Sequence, residues 1–403
     1  MFKKRNKPVT FFVPGSKRSV NFSPMKNKLI FTPIIILCLP LLKMNSDAQD
    51  RGVPTLEIGS RAPDFNLRGV DDKYYTLQDF NNYPILVILF TCNHCPTAQA
   101  YEKKIMDYVN TYRPKGVGFV AIMPNSSQAL SLAELGYSDM GDSFDEMKIR
   151  ARELGFNFPY LYDGDDQKVS IQYGPVATPH VFIFDKERKL RYTGRIDDTE
   201  NPYIQPGTED MKNALDALLE NRILSVEKTK TFGCSLKWAW KDHWKNQLIA
   251  DWAKEPVKLD TIGVTGLDSL LNNNSGNLRL INIWATWCGP CVIEFPELAT
   301  INRMYRGRDF ELITISADKP AKKGKVIEFL GKNQASFKNY LYSSEDKYKM
   351  IDAVDKDWQG SLPYTVLVAP GGKVIYRVAE AFDPLTLKKQ IVGYLGRYYA
   401  DDK

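Results

Sequence analysis

The architecture of this chain can be inferred from one short stretch, Leu280-Ile281-Asn282-Ile283-Trp284-Ala285-Thr286-Trp287-Cys288-Gly289-Pro290-Cys291. Its apolar first half predicts a fully buried strand, and the C-x-x-C pair that follows predicts a turn into a helix. A second such pair, Cys92 and Cys95, also follows a continuous apolar run. A C-x-x-C pair between a strand and a helix is a dithiol that can close into a disulfide, with its first sulfur at the helix N-terminus. The sequence therefore predicts the same redox-active arrangement twice.

The pattern around each pair predicts the fold. In both halves of the chain, apolar periodicity predicts a strand, a helix and a strand, followed by an antiparallel hairpin and a closing helix. This order predicts an α/β fold with a mixed β-sheet covered by helices on both faces. It resembles the thioredoxin scheme, so we expect two tandem thioredoxin-like folds. Their predicted bounds are residues 56–225 and 258–403, with a Trp- and Lys-rich tail and linker at 226–257.

The linker region is rich in large apolar rings. It holds four of the chain's seven tryptophans, Trp238, Trp240, Trp244 and Trp252. A flexible linker would not carry so much apolar surface. We expect these rings to pack the tail of the first domain and the seam between domains, and the alternative is an exposed docking patch for a partner.

Charge argues against a nucleic-acid partner. The net charge of the 403-residue chain is +6, but residues 1–48 carry nine Lys or Arg and one Asp, a net +8. The remaining residues therefore sum to −2. The basic balance belongs to the N-terminal segment, and the body of the chain offers no excess positive charge to a polyanion.

Residues 1–48 are predicted to be an export leader, with residues 25–48 as the signal peptide proper. Two lysines precede a short apolar run, and Ser46 and Ala48 are small residues at the two positions that a signal peptidase needs. Cleavage is expected after Ala48, which places the mature chain outside the cytoplasm, most simply in the periplasm. The apolar run is shorter than the ~20 residues that span a bilayer, so an uncleaved membrane anchor is the lesser alternative.

The run Trp284–Pro296 around the second pair resembles the exported TlpA/ResA-like branch of the thioredoxin superfamily. At the helix N-terminus, Cys288 faces unsatisfied N–H groups that favour the thiolate, so it is the expected nucleophile, and Cys291 is the expected resolving thiol. The resemblance assigns an acid role beside the site to Glu294, and the alternative is an ordinary solvated carboxylate. Asn282 stands where cytoplasmic thioredoxins carry a buried Asp.

The same resemblance predicts a substrate groove. Leu362-Pro363 precedes a predicted strand at the place of the superfamily's cis-proline. A cis bond there sets backbone against the cysteines and leaves a groove for an extended substrate. Trp287 and Pro363 are the expected groove residues of the second domain, and Pro179 has the corresponding role in the first.

The stretch Phe90–Pro96 resembles a peroxiredoxin-like redoxin family of the AhpC/TSA type, and the resemblance extends from about Glu57 to Trp238. An imidazole beside a thiolate lowers the thiol pKa and stabilises the reduced form, so His94 is expected to make Cys92–Cys95 the more oxidising pair.

Several alternatives remain open for the first domain. A peroxidatic cysteine needs Thr or Ser three residues before it, whereas Leu89 precedes Cys92 and Cys92 itself precedes Cys95 at that spacing, so dithiol–disulfide exchange is favoured over peroxide reduction. Binding of copper(I) or zinc by Cys92, Cys95 and His180, with His94 nearby, is another alternative. The third alternative is that the first domain has only a structural role and that Cys92 is unreactive.

Two further inferences concern residues around the first pair. Aligning the two C-x-x-C motifs places Leu86 and Ala98 where the second domain has Asn282 and Glu294, so the first site is expected to lack both polar groups. Cys234 lies outside either pair. Its simplest interpretation is a small buried apolar residue, and the alternative is a third redox thiol that accepts a disulfide from the first pair.

Together these features predict an exported thiol–disulfide oxidoreductase with no diffusible cofactor. Reducing equivalents must come from another thiol protein, expected to be membrane-bound in a periplasm. The expected acceptors are disulfide-bonded exported proteins or the cysteine pairs of apocytochromes. If the two domains meet, electrons are expected to flow from the second pair to the first, as an interdomain relay.

Overall fold

The computed structural model describes residues 52–399. The predicted leader and its signal peptide lie outside the described residues. No helix within the described range is both long and apolar enough to cross a bilayer.

The N-terminal half alternates strands and helices. Its elements in chain order are β1 (Asn66–Gly69), β2 (Tyr74–Thr76), β3 (Ile85–Phe90), α1 (Pro96–Tyr112), β4 (Val117–Met123), α2 (Phe144–Leu154), β5 (Tyr160–Tyr162), α3 (Lys168–Tyr173), β6 (Ala177–Thr178), β7 (His180–Phe184), β8 (Leu190–Gly194), α4 (Asp210–Leu219), β9 (Cys234–Ser235) and α5 (His243–Trp252). Every residue of β3 and β4 is buried, as their unbroken apolar sequences predict.

The C-terminal half repeats the order. Its elements are β10 (Asp260–Ile262), α6 (Val264–Asn272), β11 (Leu278–Trp284), α7 (Gly289–Tyr305), β12 (Phe310–Ser316), α8 (Lys323–Lys332), β13 (Lys338–Tyr342), α9 (Lys347–Val354), β14 (Tyr364–Val368), β15 (Val374–Val378) and α10 (Pro384–Leu395).

Each half builds one mixed sheet. The first has the strand order β2-β1-β5-β4-β3-β7-β8 and the second has β10-β13-β12-β11-β14-β15. In both sheets a central parallel pair adjoins an antiparallel hairpin. Successive residues of β3 face two different cores, one shared with α1 and α4 and the other with α3. The predicted α/β fold, with two tandem thioredoxin-like sheets covered by helices on both faces, is therefore confirmed.

The strand register aligns the two domains residue by residue. In the first sheet Phe90 pairs with His180, and in the second Ile283 pairs with Tyr364. Both partners directly follow the cis-proline of their own domain. Phe90 and Ile283 therefore occupy equivalent positions at the ends of β3 and β11.

This register changes how the two cysteine pairs correspond. Cys95 and Cys288 each lie five residues beyond those equivalent positions, and each is the N-cap of a 17-residue helix. Cys92 instead matches Ala285, three residues earlier. The expectation that the first sulfur of each pair lies at a helix N-terminus is thus correct for Cys288 and wrong for Cys92, because α1 begins only after the second cysteine.

The domains meet at the C-terminal end of α7 and through the residues after α10, where Arg397 donates to Gln99 Oε1 (2.7 Å) and Asp139 Oδ1 (2.8 Å). The segment Leu132–Leu135 of the first domain lies against α7, and Leu130 and Leu135 pack into the core of the second domain. The Tyr305 hydroxyl donates a hydrogen bond to the carbonyl of Ser138 (2.8 Å). Because this contact lies at the helix end far from Cys288, the second cysteine pair does not face the interface.

The linker tryptophans differ in burial. Trp238 and Trp252 are buried, and Trp252 lies under Arg303, whose guanidinium carbon is 4.9 Å from the ring centroid. Trp240 stacks on Trp238 with ring centroids 4.8 Å apart, whereas Trp244 is 72% exposed. Packing thus accounts for part of this cluster, and Trp244 remains on the surface.

Candidate active sites

The second site is built at the junction of β11 and α7. Cys288 and Cys291 form a disulfide (S–S 2.04 Å), and Cys288 Sγ accepts a hydrogen bond from Cys291 N (3.3 Å). Cys291 is fully buried while Cys288 is 6% exposed. Trp287, which precedes the pair, is 67% exposed. After reduction, the Cys288 thiol would thus lie at the helix N-terminus near the solvent, and the Cys291 thiol would lie buried behind it.

Glu294 lies one turn after Cys291 on α7 and is 8% exposed. Its Oε1 accepts from Asn282 Nδ2 (2.9 Å) and its Oε2 from Phe382 N (3.2 Å). Burial raises the pKa of Glu294 to about 7, although these two hydrogen bonds oppose the rise. The alternative of an ordinary solvated carboxylate is therefore wrong, and an acid–base role stays a prediction.

Replacing Glu294 by Gln is expected to flatten the pH dependence of disulfide exchange at this site. The wild-type carboxylate accepts protons only in its charged form, so the rate should rise through pH 7. The variant should lose that rise and be slower by about 100-fold at pH 8. Initial rates of insulin disulfide reduction between pH 5.5 and 9 measure this, with Glu297→Gln on the same helix as the control. An unchanged profile in Glu294→Gln would remove the proposed role.

The groove prolines lie beside both sites. Leu362–Pro363 and Thr178–Pro179 are cis, and both prolines are buried. Next to Pro363, Ser361 is exposed and Leu362 is half-buried, and no strand among residues 52–399 pairs with them. The carbonyl of Ser361 accepts a hydrogen bond from Trp358 Nε1 (2.8 Å), and its hydroxyl donates one to the carbonyl of Ala379 (3.0 Å).

The first site is a cluster of three thiols. Cys92 Sγ lies 3.1 Å from Thr178 Oγ1, and Cys95 Sγ lies 3.2 Å from the carbonyl oxygen of Thr178. Cys234 N donates to Cys95 Sγ (3.3 Å), and the Cys92 and Cys234 thiols both hydrogen-bond Cys95. The sequence left the role of Cys234 open, and the structure places its thiol beside Cys95.

The three thiols differ in acidity. Burial by itself raises the pKa of Cys95, but hydrogen bonds from the other two thiols and Ala98 N, with the charge of His94, hold it well below its ordinary value. Burial raises the pKa of Cys92 well above its ordinary value. Hydrogen bonding to Cys95, followed by burial, raises that of Cys234. Cys95 is therefore the most acidic of the three thiols, and in its protonated form it donates to the carbonyl of Thr178.

His94 is held by a carboxylate that sequence reasoning missed. Its Nδ1 lies 2.6 Å from Asp142 Oδ2, and Asp142 also accepts from Asn93 N (2.9 Å), His94 N (3.0 Å) and Asn125 Nδ2 (2.8 Å). Burial alone lowers the pKa of His94, but the charge of Asp142 and its hydrogen bond raise it overall. Asp142 lies 48 residues from His94 in sequence, and no local motif connects the two.

The register also corrects the expected counterparts of the second-site polar groups. Leu89 matches Asn282 and Tyr101 matches Glu294, so the expected Leu86 and Ala98 are wrong by three residues. The first site does lack a carboxylate at the position of Glu294. Its buried acid is instead supplied by Asp142, from the segment before α2.

The metal set suggested by the sequence does not assemble. His180 Nδ1 accepts from Val176 N (3.2 Å), and its Nε2 lies 3.0 Å from Thr193 Oγ1, so both ring nitrogens are engaged away from Cys92 and Cys95. Within residues 52–399, the potential ligand group is instead Cys92, His94 and Asp142, whose ligand atoms lie within 4.8 Å of one another. Asp142 already accepts four hydrogen bonds there, which leaves little capacity for an ion.

Comparison with known proteins agrees with this geometry. The AhpC/TSA family model matches residues 58–193 and the Redoxin model matches residues 263–391. A thiol-disulfide oxidoreductase ResA of Bacillus cereus is 26% identical over 149 residues, covering 35% of this chain and 75% of that protein. ResA of Bacillus subtilis is 29% identical over 105 residues, covering 26% of this chain and 54% of that protein.

Among solved structures, an uncharacterized conserved protein from Geobacillus kaustophilus is 39% identical, with a TM-score of 0.40, and the match covers 45% of this chain and 92% of that one. Both resemblances predicted from the sequence, to the AhpC/TSA type and to ResA-like proteins, are confirmed by the family models and the ResA relatives. The chain therefore carries two redoxin-type domains in tandem, one of the AhpC/TSA family followed by one of the Redoxin family.

Proposed function

We propose that this protein is a thiol–disulfide oxidoreductase and that Cys288 and Cys291 carry out its exchange with other proteins. The observation that carries the proposal is the Cys288–Cys291 disulfide at the N-terminus of α7, beside exposed Trp287 and a groove edge with no paired strand among the described residues. In the reduced state, Cys288 thiolate attacks a substrate disulfide and forms a mixed disulfide. Cys291 then attacks Cys288 Sγ, the substrate leaves as a dithiol, and the Cys288–Cys291 disulfide remains.

The environment of the site supports this order of events. Cys288 Sγ accepts a hydrogen bond from Cys291 N in the first helical turn, which favours the Cys288 thiolate. Cys291 itself is buried and stays shielded until a mixed disulfide forms. Glu294, with a pKa of about 7, is suited to take the proton of Cys291 near neutral pH. The ResA relatives are named as thiol-disulfide oxidoreductases, which agrees with this activity.

Cys92 and Cys95 form, in this proposal, a second and more oxidising dithiol. A stabilised thiolate lowers the free energy of the reduced form, so the disulfide is more readily reduced. The pKa of Cys95 is held well below its ordinary value, partly by the charge of His94 paired with Asp142. The Gly289–Pro290 insert of the second pair contributes no comparable charge.

A relay between the two sites within one chain needs the domains to part. Cys288 and Tyr305 are 17 residues apart along α7, which is roughly 25 Å at the rise of an α-helix. We therefore propose that electrons pass from Cys288–Cys291 to the first site either between two copies of the chain or after the domains separate.

The proposed setting is extracytoplasmic. Residues 1–48 carry the expected leader, with cleavage after Ala48 and a periplasmic product, and retention by the leader as an anchor is the lesser version. The proposed substrates are disulfide-bonded exported proteins or the cysteine pairs of apocytochromes. The proposed electron donor is a membrane-bound thiol protein, and no diffusible cofactor is required.

A redox titration tests this proposal. The chain is equilibrated in glutathione buffers, alkylated and analysed by mass, in a variant with Cys92→Ser and Cys95→Ser and in another with Cys288→Ser and Cys291→Ser. We expect the first-domain pair to have the higher potential by ~30 mV or more, which is about 1.4 kcal/mol for two electrons. A first pair that stays reduced throughout would leave the second domain as the sole reductase and remove the relay.

A further inference from the structure

The first domain covers its own groove edge with a cysteine-bearing segment. Strand β9 pairs antiparallel with β6, so that Cys234 lies opposite Thr178 and Ser235 opposite Ala177. Thr178 directly precedes Pro179, the groove proline of this domain. The chain therefore places one of its own cysteines along the edge where an extended substrate is expected.

The second domain provides the comparison. Residues 361–362 occupy the place of Ala177 and Thr178, as the shared strand register shows. Within the described part of the chain no strand pairs with them, and Ser361 is exposed whereas Ala177 is buried. In the described residues, one groove edge has no paired strand and the equivalent edge is paired with β9.

The occupying segment fits its place closely. Gly233 has φ +123°, and a Cβ there would lie 2.1 Å from the carbonyl oxygen of Thr178. Only glycine allows this approach without moving the backbone. Beyond the cysteine, Lys237 N donates to Asn125 Oδ1 (2.9 Å) and Ala239 N donates to Gln167 Oε1 (2.8 Å). These contacts fasten the segment on the side beyond Cys234.

Exposure separates the three thiols of the cluster. Cys95 is fully buried and Cys92 is 2% exposed, whereas Cys234 is half-buried. The C-terminal residues add to the cover, since Arg397 donates to Gln99 Oε1 (2.7 Å) one turn after Cys95. Cys234 is therefore the least buried of the three cysteines.

We propose that Cys234 is a built-in substrate thiol that carries the disulfide of the first domain to its surface. The inference rests on the proposed redox activity of Cys92 and Cys95. In the first step, Cys234 thiolate attacks Cys95 Sγ of the Cys92–Cys95 disulfide, the Cys95–Cys234 bond forms, and Cys92 leaves and takes up a proton.

Transfer to an external protein dithiol then follows in two exchanges. The first external thiolate attacks Cys234 Sγ, and Cys95 leaves as a thiolate. The second external thiolate attacks its mixed-disulfide partner and releases Cys234, so the external dithiol loses two electrons and the domain gains them. Cys95 is the sulfur released in this exchange because it is the one bonded to Cys234, and its position at the N-terminus of α1 favours it as a thiolate.

The experiment follows the first-domain disulfide in the full-length chain with Cys288→Ser and Cys291→Ser, which silences the second pair. The protein is oxidised with oxidised glutathione, its disulfides are mapped by mass after acid quenching, and reduced glutathione is then added to measure the rate of opening. We expect the Cys95–Cys234 bond in this protein and also when Cys92→Ser is added. Adding Cys234→Ser should slow opening at least tenfold.

Gly233→Ala gives a test that retains every first-domain thiol. It should displace β9 and slow opening to a similar degree, while Gly331→Ala, where an added Cβ meets nothing within 4 Å, should leave the rate unchanged. Opening of the Cys92–Cys95 bond at an unchanged rate in both Cys234→Ser and Gly233→Ala would overturn the inference and leave the proposed function intact. If no variant formed any first-domain disulfide, both this inference and the proposed redox role of Cys92 and Cys95 would be overturned.

Discussion

Cys288→Ser is expected to lower the rate of insulin disulfide reduction by more than about 10³-fold. The serine hydroxyl is not ionised near neutral pH, so the N-terminus of α7 has no thiolate to stabilise. Cys291 does not replace it, because that thiol is fully buried behind Cys288. The measurement is the turbidity of reduced insulin with dithiothreitol as the electron donor, corrected for the rate without protein.

Cys291→Ser is the matched variant for this experiment. It keeps the attacking thiol but lacks the resolving one, so a covalent complex with substrate should accumulate and should disappear on adding excess dithiothreitol. A variant with Cys92→Ser and Cys95→Ser should retain most of the insulin activity, because those thiols are buried. Near-normal turnover in Cys288→Ser would show that another thiol attacks the substrate and would remove the central claim of the proposal.

The second site could be predicted from sequence because its determinants are local. The strand β11, the turn and the first helical turn of α7 are contiguous, so the motif itself places Cys288 at the N-cap and Cys291 one turn later. The burial of Glu294 was less accessible. It depends on Asn282 from β11 and on the backbone of Phe382, which approaches from the other end of the domain.

The first site was misread because spacing between cysteines does not fix where the helix starts. The two motifs have the same C-x-x-C spacing, but α1 begins at Pro96, after the second cysteine, whereas α7 begins at Gly289, after the first. Proline favours the first position of a helix, so Pro96 was the signal in the sequence that marked the boundary. It indicates Cys95 as the N-cap.

The remaining partners of the first site come from distant segments. Cys234 lies 139 residues from Cys95 and Asp142 lies 48 from His94. Apolar periodicity predicts which face of an element is buried, but it does not state which loop crosses that face. The pairing of β9 with β6 and the position of the segment before α2 therefore had to be seen in the structure.

Asp142→Asn is expected to destabilise the first domain by about 3 kcal/mol, because it breaks a buried charge pair with His94. The amide oxygen can still accept the backbone N–H groups of Asn93 and His94, which separates loss of charge from loss of the turn. The free energy of unfolding in urea measures the change. Asp145→Asn, an exposed position three residues later, is the control and should shift it by less than about 0.5 kcal/mol.

The difference in free energy of unfolding between wild type and Asp142→Asn should depend on pH, and this dependence identifies its cause. The pKa of Asp142 is lowered, so its contribution is present above its unfolded pKa of about 3.9 and is lost as pH falls through the folded value. The pKa of His94 is raised, so its contribution is present below about 6.5 and is lost as pH rises through the folded value. The difference between wild type and Asp142→Asn should thus be largest near pH 5 to 6 and shrink at alkaline pH.

Asp142→Asn should also change the acidity of the first-domain thiols. Without the carboxylate, His94 loses the charge partner that raises its pKa, and Cys95 loses the nearby positive charge that lowers its own. The Cys95 thiolate, followed by its absorbance near 240 nm or its alkylation rate, should then appear at higher pH, and the first-domain disulfide should become less oxidising. A stability loss with an unchanged Cys95 titration would mean that Asp142 only holds the turn, and that the low pKa of Cys95 comes from its neighbouring thiols and the start of α1.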